Sequence, residues 1–165
     1  MGYSTDFEGC IDINKKVDEK TQKWLKGLSN TRRMKRDTKV LSKLLGITEE
    51  ECLSEYGEDA KNYFDYIDMG QRHTEDILNY NFPPSNQPGL WCNWTLGEDN
   101  NSIEWNGAEK FYEYIEWMRY IIDELVERGY EMNGIISWEG EDRSDCGRII
   151  VKDSKVNVIR FNLNN

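Results

Sequence analysis

The sequence predicts an α+β fold in a single domain. It comprises one mixed or antiparallel sheet of about five to six strands, a long amphipathic helix on one face and a helical segment after the first strand. Three observations predict it. Residues 5–13, TDFEGCIDI, alternate in the manner of a half-buried strand. Residues 108–128 set Phe111, Ile115, Met118, Ile122 and Leu125 at helical spacing. The chain then runs through three strand-like segments, 133–140, 147–153 and 155–162, joined by polar turns. Strands and helices do not alternate strictly, which argues against a doubly wound parallel sheet.

In chain order, Phe7, Gly9, Ile11 and Ile13 share one parity of the first strand. Asp18 can cap a helix over about 19–36, whose narrow stripe of Trp24, Leu25 and Leu28 leaves most of it solvated. TKVLSKLLG predicts a second short helix closed by Gly46, and Thr48 with Glu51 predicts a capping box for a third that ends near Tyr56. Residues 57–82 are less regular, with Tyr63, Phe64, Tyr66 and Ile67 available to dock a turn of helix. The segment NYNFPPSNQPGLWCNW holds all three prolines of the chain. Those prolines stop helix and strand alike until Leu90, and from there LWCNWT alternates. A hairpin over 90–105 results, with Leu90, Cys92 and Trp94 facing inward and Trp91 and Asn93 outward. Gly129 ends the long helix.

A chain of 165 residues is long enough to bury one core, and its six Trp, nine Tyr and five Phe argue against disorder. No apolar run approaches the length of a membrane helix, and the polar, acidic start predicts no secretory signal. Asp6 stands where a myristoylation motif wants Ser or Thr. The expected location is the cytoplasm. Cys10, Cys52, Cys92 and Cys146 are widely separated without a CxxC pair, so they are expected to be reduced structural thiols, with no metal and no cofactor. The net charge of −10 is polarised. Residues 15–43 hold eleven Lys/Arg against three Asp/Glu, and residues 44–165 hold ten against twenty-five. An acidic body repels phosphates, which disfavours general nucleic-acid binding.

Five blocks stand out: MGYSTDFEG, TRRMKRD, PPSNQPGLWCNW, IEWNGAEKFYEYIEWM and GIISWEGEDRSDCGRIIVKD. Together they resemble a family of small proteins of bacteriophages and bacterial genomes for which no activity is established. The resemblance implies a phage or prophage origin and hence a host-cell cytoplasm. It assigns no residue a role. Residues 39–70 depart from the family's pattern and read as a variable or inserted helical segment.

Arg32, Arg33 and Arg36 in TRRMKRD carry planar forks suited to phosphate, and on a helix Arg32 and Arg36 share a face. The same cluster suits a solvated or carboxylate-paired helix end. Trp91, Asn93 and Trp105, with Gln87 of the proline loop, are candidates for a stacking surface, although tryptophans on strands usually build the core. Glu109 is either a further ligand contact or a complement to the dipole of the long helix. Glu139, Glu141, Asp142 and Asp145 crowd one turn without EF-hand spacing, and they read as a solvated acidic turn. His73, the only histidine, has no Ser or Cys at motif spacing, so no catalytic residue is assigned.

The expected function is non-enzymatic binding of a small anionic ring-containing ligand, a nucleotide or cyclic-nucleotide signal. In a phage this is a counter-defence sponge. Two alternatives stay open: an acidic, DNA-mimic-like inhibitor that binds a host protein, and a nucleotide-processing enzyme. The oligomeric state stays open too, a homo-oligomer included.

Overall fold

The computed structural model describes residues 2–161 and is α+β: a six-stranded antiparallel sheet, a two-stranded sheet and four α-helices. The chain forms two compact units, one from residues 1–22 and 93–165 and the other from Lys23–Cys92.

The first unit holds the large sheet. Its strands are β1 (Thr5–Ile13), β4 (Trp94–Leu96), β5 (Ser102–Trp105), β6 (Met132–Gly140), β7 (Cys146–Lys152) and β8 (Lys155–Arg160), in the order β4-β5-β1-β6-β7-β8. In β1 the predicted parity holds at Ile11 and Ile13, both buried. Ile11, Ile103, Ile136, Ile149 and Val151 are buried, as are Ile115, Met118, Ile121, Ile122 and Leu125 of helix α4 (Tyr114–Glu127), which covers one face. The Trp94 indole N–H donates to the Tyr114 carbonyl at 2.8 Å and ties β4 to that helix.

Helix α4 starts at Tyr114, six residues later than its periodicity predicts. Asn106 Oδ1 accepts the Ala108 amide and the Trp105 indole donates to the Ala108 carbonyl, which turns the chain out of β5 into a loop. Lys110 and Glu113 then take left-handed φ of 61° and 58°, which helix excludes. Past the helix, Gly129 at φ 92° ends it as predicted. Asn162, the last residue of the predicted final strand, lies outside the described residues.

The second unit contains β2 (Lys35–Arg36), paired antiparallel with β3 (Ile77–Asn79), and the short helices α2 (Thr38–Leu45) and α3 (Glu49–Tyr56). Gly46 caps α2 at φ 70°, and Thr48 and Glu51 form the predicted capping box. Leu41, Cys52 and Ala60 make a small apolar core with Ile47, Tyr56 and Tyr63 packed against it.

Helix α1 (Glu19–Asn30) begins at the predicted place, with the Thr21 amide donating to Asp18 Oδ1, but it ends six residues early. TRRMKRD is not helical, so Arg32 and Arg36 share no helix face. The backbone N–H groups of Arg32, Arg33 and Lys35 find long-range partners instead, the carbonyls of Met69, Leu90 and Phe82 at 2.7–2.8 Å. The predicted hairpin also starts late, at Trp94, because Leu90 spends its carbonyl on Arg33. Asn93 is consequently buried instead of outward. Tyr66 and Ile67 stay largely outside the core: both are 58% exposed, beside a tight turn in which Asp68 and Met69 take positive φ.

Candidate functional site

The three arginines of TRRMKRD have three different surroundings. Arg33 is 2% exposed. Its Nε donates to Gln87 Oε1 at 3.1 Å, Nη1 to Thr31 Oγ1 at 2.8 Å, Nη2 to the Lys61 carbonyl at 2.6 Å, and both terminal nitrogens to the Tyr63 carbonyl at 3.3 Å. The guanidinium lies 4.7 Å from the centre of the Phe64 ring. Gln87 Nε2 donates to the same Lys61 carbonyl at 2.8 Å. Arg33 and Gln87 therefore join the arginine block to the proline loop from inside, and a planar five-donor group is the side chain that can do so.

Arg36, 4% exposed, pairs with the buried Asp76 at 2.6 Å and lies 5.1 Å from the Tyr63 ring centre. Thr74 donates its hydroxyl to the other Asp76 oxygen. The pair is internal and already neutralised, so it offers no charge to a bound anion.

Arg32 differs from both. It is half-buried, with its guanidinium 4.3 Å from the Tyr80 ring centre and 5.9 Å from that of Trp91. Nε donates to the Tyr80 carbonyl at 3.2 Å and Nη2 to Asn81 Oδ1 at 3.3 Å. Among the described residues Nη1 makes no hydrogen bond, which leaves two N–H donors unspent. The exposed His73 stacks on Tyr80 at 4.4 Å and 16°. Arg32, Tyr80, Trp91 and His73 thus form a partly exposed stack of flat groups with one delocalised cation.

Of the predicted residues, Arg32, Arg33, Gln87 and Trp91 come together here, and Arg36 lies in the same unit on its own partner. Asn93, Trp105 and Glu109 belong to the other unit. Trp105 edges the Phe7 ring at 5.5 Å in an aromatic cluster with Trp94, Phe111 and Tyr114. Burial in that cluster pushes the Tyr114 hydroxyl above its ordinary pKa. Glu109 is exposed in the loop before α4, away from any helix N-terminus.

The sequence pattern does not single out Tyr80 and offers His73 only as a candidate for catalysis. One signal was there to find. Leu78, Tyr80 and Phe82 alternate with polar residues just before the prolines, which is the signature of a short strand.

The carboxylates of the β6–β7 turn are already engaged by protein donors. Asp145 accepts from the Trp138 indole and the Tyr3 hydroxyl, Glu141 from the Ser4 amide, and Asp142 from Ser144. The Ser144 bonds hold the Asp142 carboxyl below its usual range. Among the described residues no group of His, Cys, Asp and Glu is arranged to hold a metal ion, and no helix is long and apolar enough to cross a membrane. None of the four cysteines is in a disulfide. Compared with known proteins, the chain matches no protein family, no curated protein and no solved structure.

Proposed function

We propose that the protein binds a small anionic ligand that carries a planar ring, such as a nucleotide or cyclic nucleotide, at Arg32. One observation carries this reading: Arg32 lies against Tyr80 and Trp91 with its Nη1 donors unspent. A ring stacks on Trp91, since Arg32 and His73 already lie on Tyr80, a contact that contributes roughly 1–3 kcal/mol per base, while an anionic oxygen accepts from Nη1. Arg33 and Gln87 are frame residues in this reading, since they hold the proline loop that carries Trp91. In the phage setting implied by the sequence resemblance, such a protein would sequester a host nucleotide signal.

The test is calorimetric titration with a panel of mono-, di- and cyclic nucleotides on wild type, Arg32→Ala and Trp91→Ala. The expected result is heat from at least one nucleotide, lost in both variants without a change in melting temperature. Heat from none, or equal binding by Arg32→Ala, overturns the reading.

A second reading, a protein-binding inhibitor, is favoured by a separate observation. Tyr66, Ile67 and Met69 are all more than half exposed on a turn in an acidic stretch of chain. Exposed aromatic and Met side chains are typical of interface hot spots.

A further inference from the structure

The second face of the six-stranded sheet carries a charge pattern that the Arg32 site does not use. Side chains alternate along each strand, so the parity opposite the buried isoleucines points away from α4. At the centre of that face Ile135 pairs with Ile150 across β6 and β7, and Ile135 is 50% exposed. Farther out, Ile159 on β8 is 48% exposed. On the β5–β1 side the face presents Glu104, Asp6, Glu8 and Asp12; on the β7–β8 side it presents Arg148, Lys152 and Lys155. Acid and base are therefore segregated to opposite halves, and between them β6 presents Asn133, Ile135, Ser137 and Glu139.

The two halves do not neutralise each other within one copy. Glu8 pairs with Ser137, and Ser137 with Arg148, so the charges in that row are two strand spacings apart, about 10 Å. Among the described residues none of these side chains forms an ion pair.

We infer that this face is a homodimer interface, with a second copy of the chain as its occupant. A two-fold axis running along β6 in the plane of contact lays the β1 half of one copy over the β7 half of the other. Glu8 then meets Arg148 of the second copy, the row of Asp12 meets that of Lys152, and Ile135 meets its own counterpart. An isologous contact needs a self-complementary surface, and acid and base mirrored about Ile135 provide one; Glu139, at one end of β6, meets its own counterpart, a like-charge contact that weakens the pair. Pairing through the free edge of β8 fits less well. Arg119 Nη1 already donates to the Val156 carbonyl there at 3.1 Å, and a two-fold edge pairing would oppose Lys155 to Arg160.

The area sets the strength. Strand spacing and rise give a face of roughly 20 Å by 20 Å, about half of the 800 Å² that each partner buries in a standard interface. The dimer is accordingly weak and concentration-dependent.

Sedimentation velocity tests it, with protein concentrations from well below to well above micromolar, on wild type, Glu8→Arg, Arg148→Glu and the double swap. All four proteins are judged at equal melting temperature, which the exposure of both side chains should preserve. The expected result is a reversible dimer in wild type, weakened at least tenfold by either single change and by added salt, and restored by the double swap. A monomer at every concentration, a dimer indifferent to the single changes, or a double swap that fails to restore association overturns the inference.

Discussion

The sheet unit and the Lys23–Cys92 unit are ordered by different forces. In the first, apolar side chains recur at strand and helix periods and meet in a core of isoleucines, Met118, Trp117 and Leu125. In the second, beside the buried Trp24, Leu25, Leu28 and Met34 and the small cluster of Leu41, Cys52 and Ala60, polar clips hold the chain: Arg33 on Gln87 and two carbonyls, Arg36 on Asp76, Asp65 on Arg72 and Ser85 on Asp59. The difference predicts different weaknesses. An apolar core tolerates changes of shape and fails when charged. A polar clip fails when its donor geometry changes, because each lost donor leaves a desolvated acceptor behind.

The largest expected effect is in the sheet unit. Met118→Asp puts a carboxylate at a position with no exposure, a cost of several kcal/mol, and soluble expression should be lost. Recovery of Met118→Asp with a wild-type melting temperature would show that α4 is peripheral. Met118→Leu keeps the volume and should cost less than about 1.5 kcal/mol by urea denaturation.

Next come the clips. Asp76→Ala leaves the buried Arg36 without its carboxylate and should cost about 3–5 kcal/mol. Arg36→Met together with Asp76→Leu should recover much of that loss, since an apolar pair needs no counter-charge. Denaturation curves of the single and double variants measure both.

What was legible in the sequence follows the same division. Patterns of period two and 3.6 are local, so β1, the apolar stripe of α4 and the closing three-strand meander could be read directly. The Thr48–Glu51 capping box and Gly46 were equally local. Element ends were less legible, because long-range hydrogen bonds set them. The end of α1 depends on carbonyls at Met69, Leu90 and Phe82, and the start of β4 depends on the use of Leu90 by Arg33. The candidate site was legible as a set of residue types. Arg32 and Trp91 do share a surface. That Arg33 and Arg36 turn inward was not visible, since a cluster of cations reads the same whether its partners are water or buried oxygens.

Smaller effects sharpen the contrast at single groups. Burial, with Asp12 adding to it, pushes the Cys10 thiol above its ordinary pKa. Because the thiolate is the nucleophile, Cys10 should alkylate more slowly than free cysteine at neutral pH and catch up only as pH rises. Mass spectrometry of time-resolved alkylation checks this; a rate at neutral pH equal to that of free cysteine would contradict it. Asp18 is shifted the other way: the Thr21 amide lowers its pKa from the ordinary carboxylate value. A depressed folded pKa contributes stability that is present above the unfolded value and fades as pH falls through the folded one. Asp18→Asn should remove that part of the acid dependence, seen as a flatter loss of melting temperature below about pH 4.

The central claim is that one motif divides its arginines between frame and surface. Urea denaturation of Arg32→Ala beside Arg33→Ala tests it most directly. Arg33→Ala should lose about 3–5 kcal/mol, as its neighbours keep buried acceptors without a donor, while Arg32→Ala should stay within about 1 kcal/mol of wild type. Equal losses, or a greater loss for Arg32→Ala, would contradict the division.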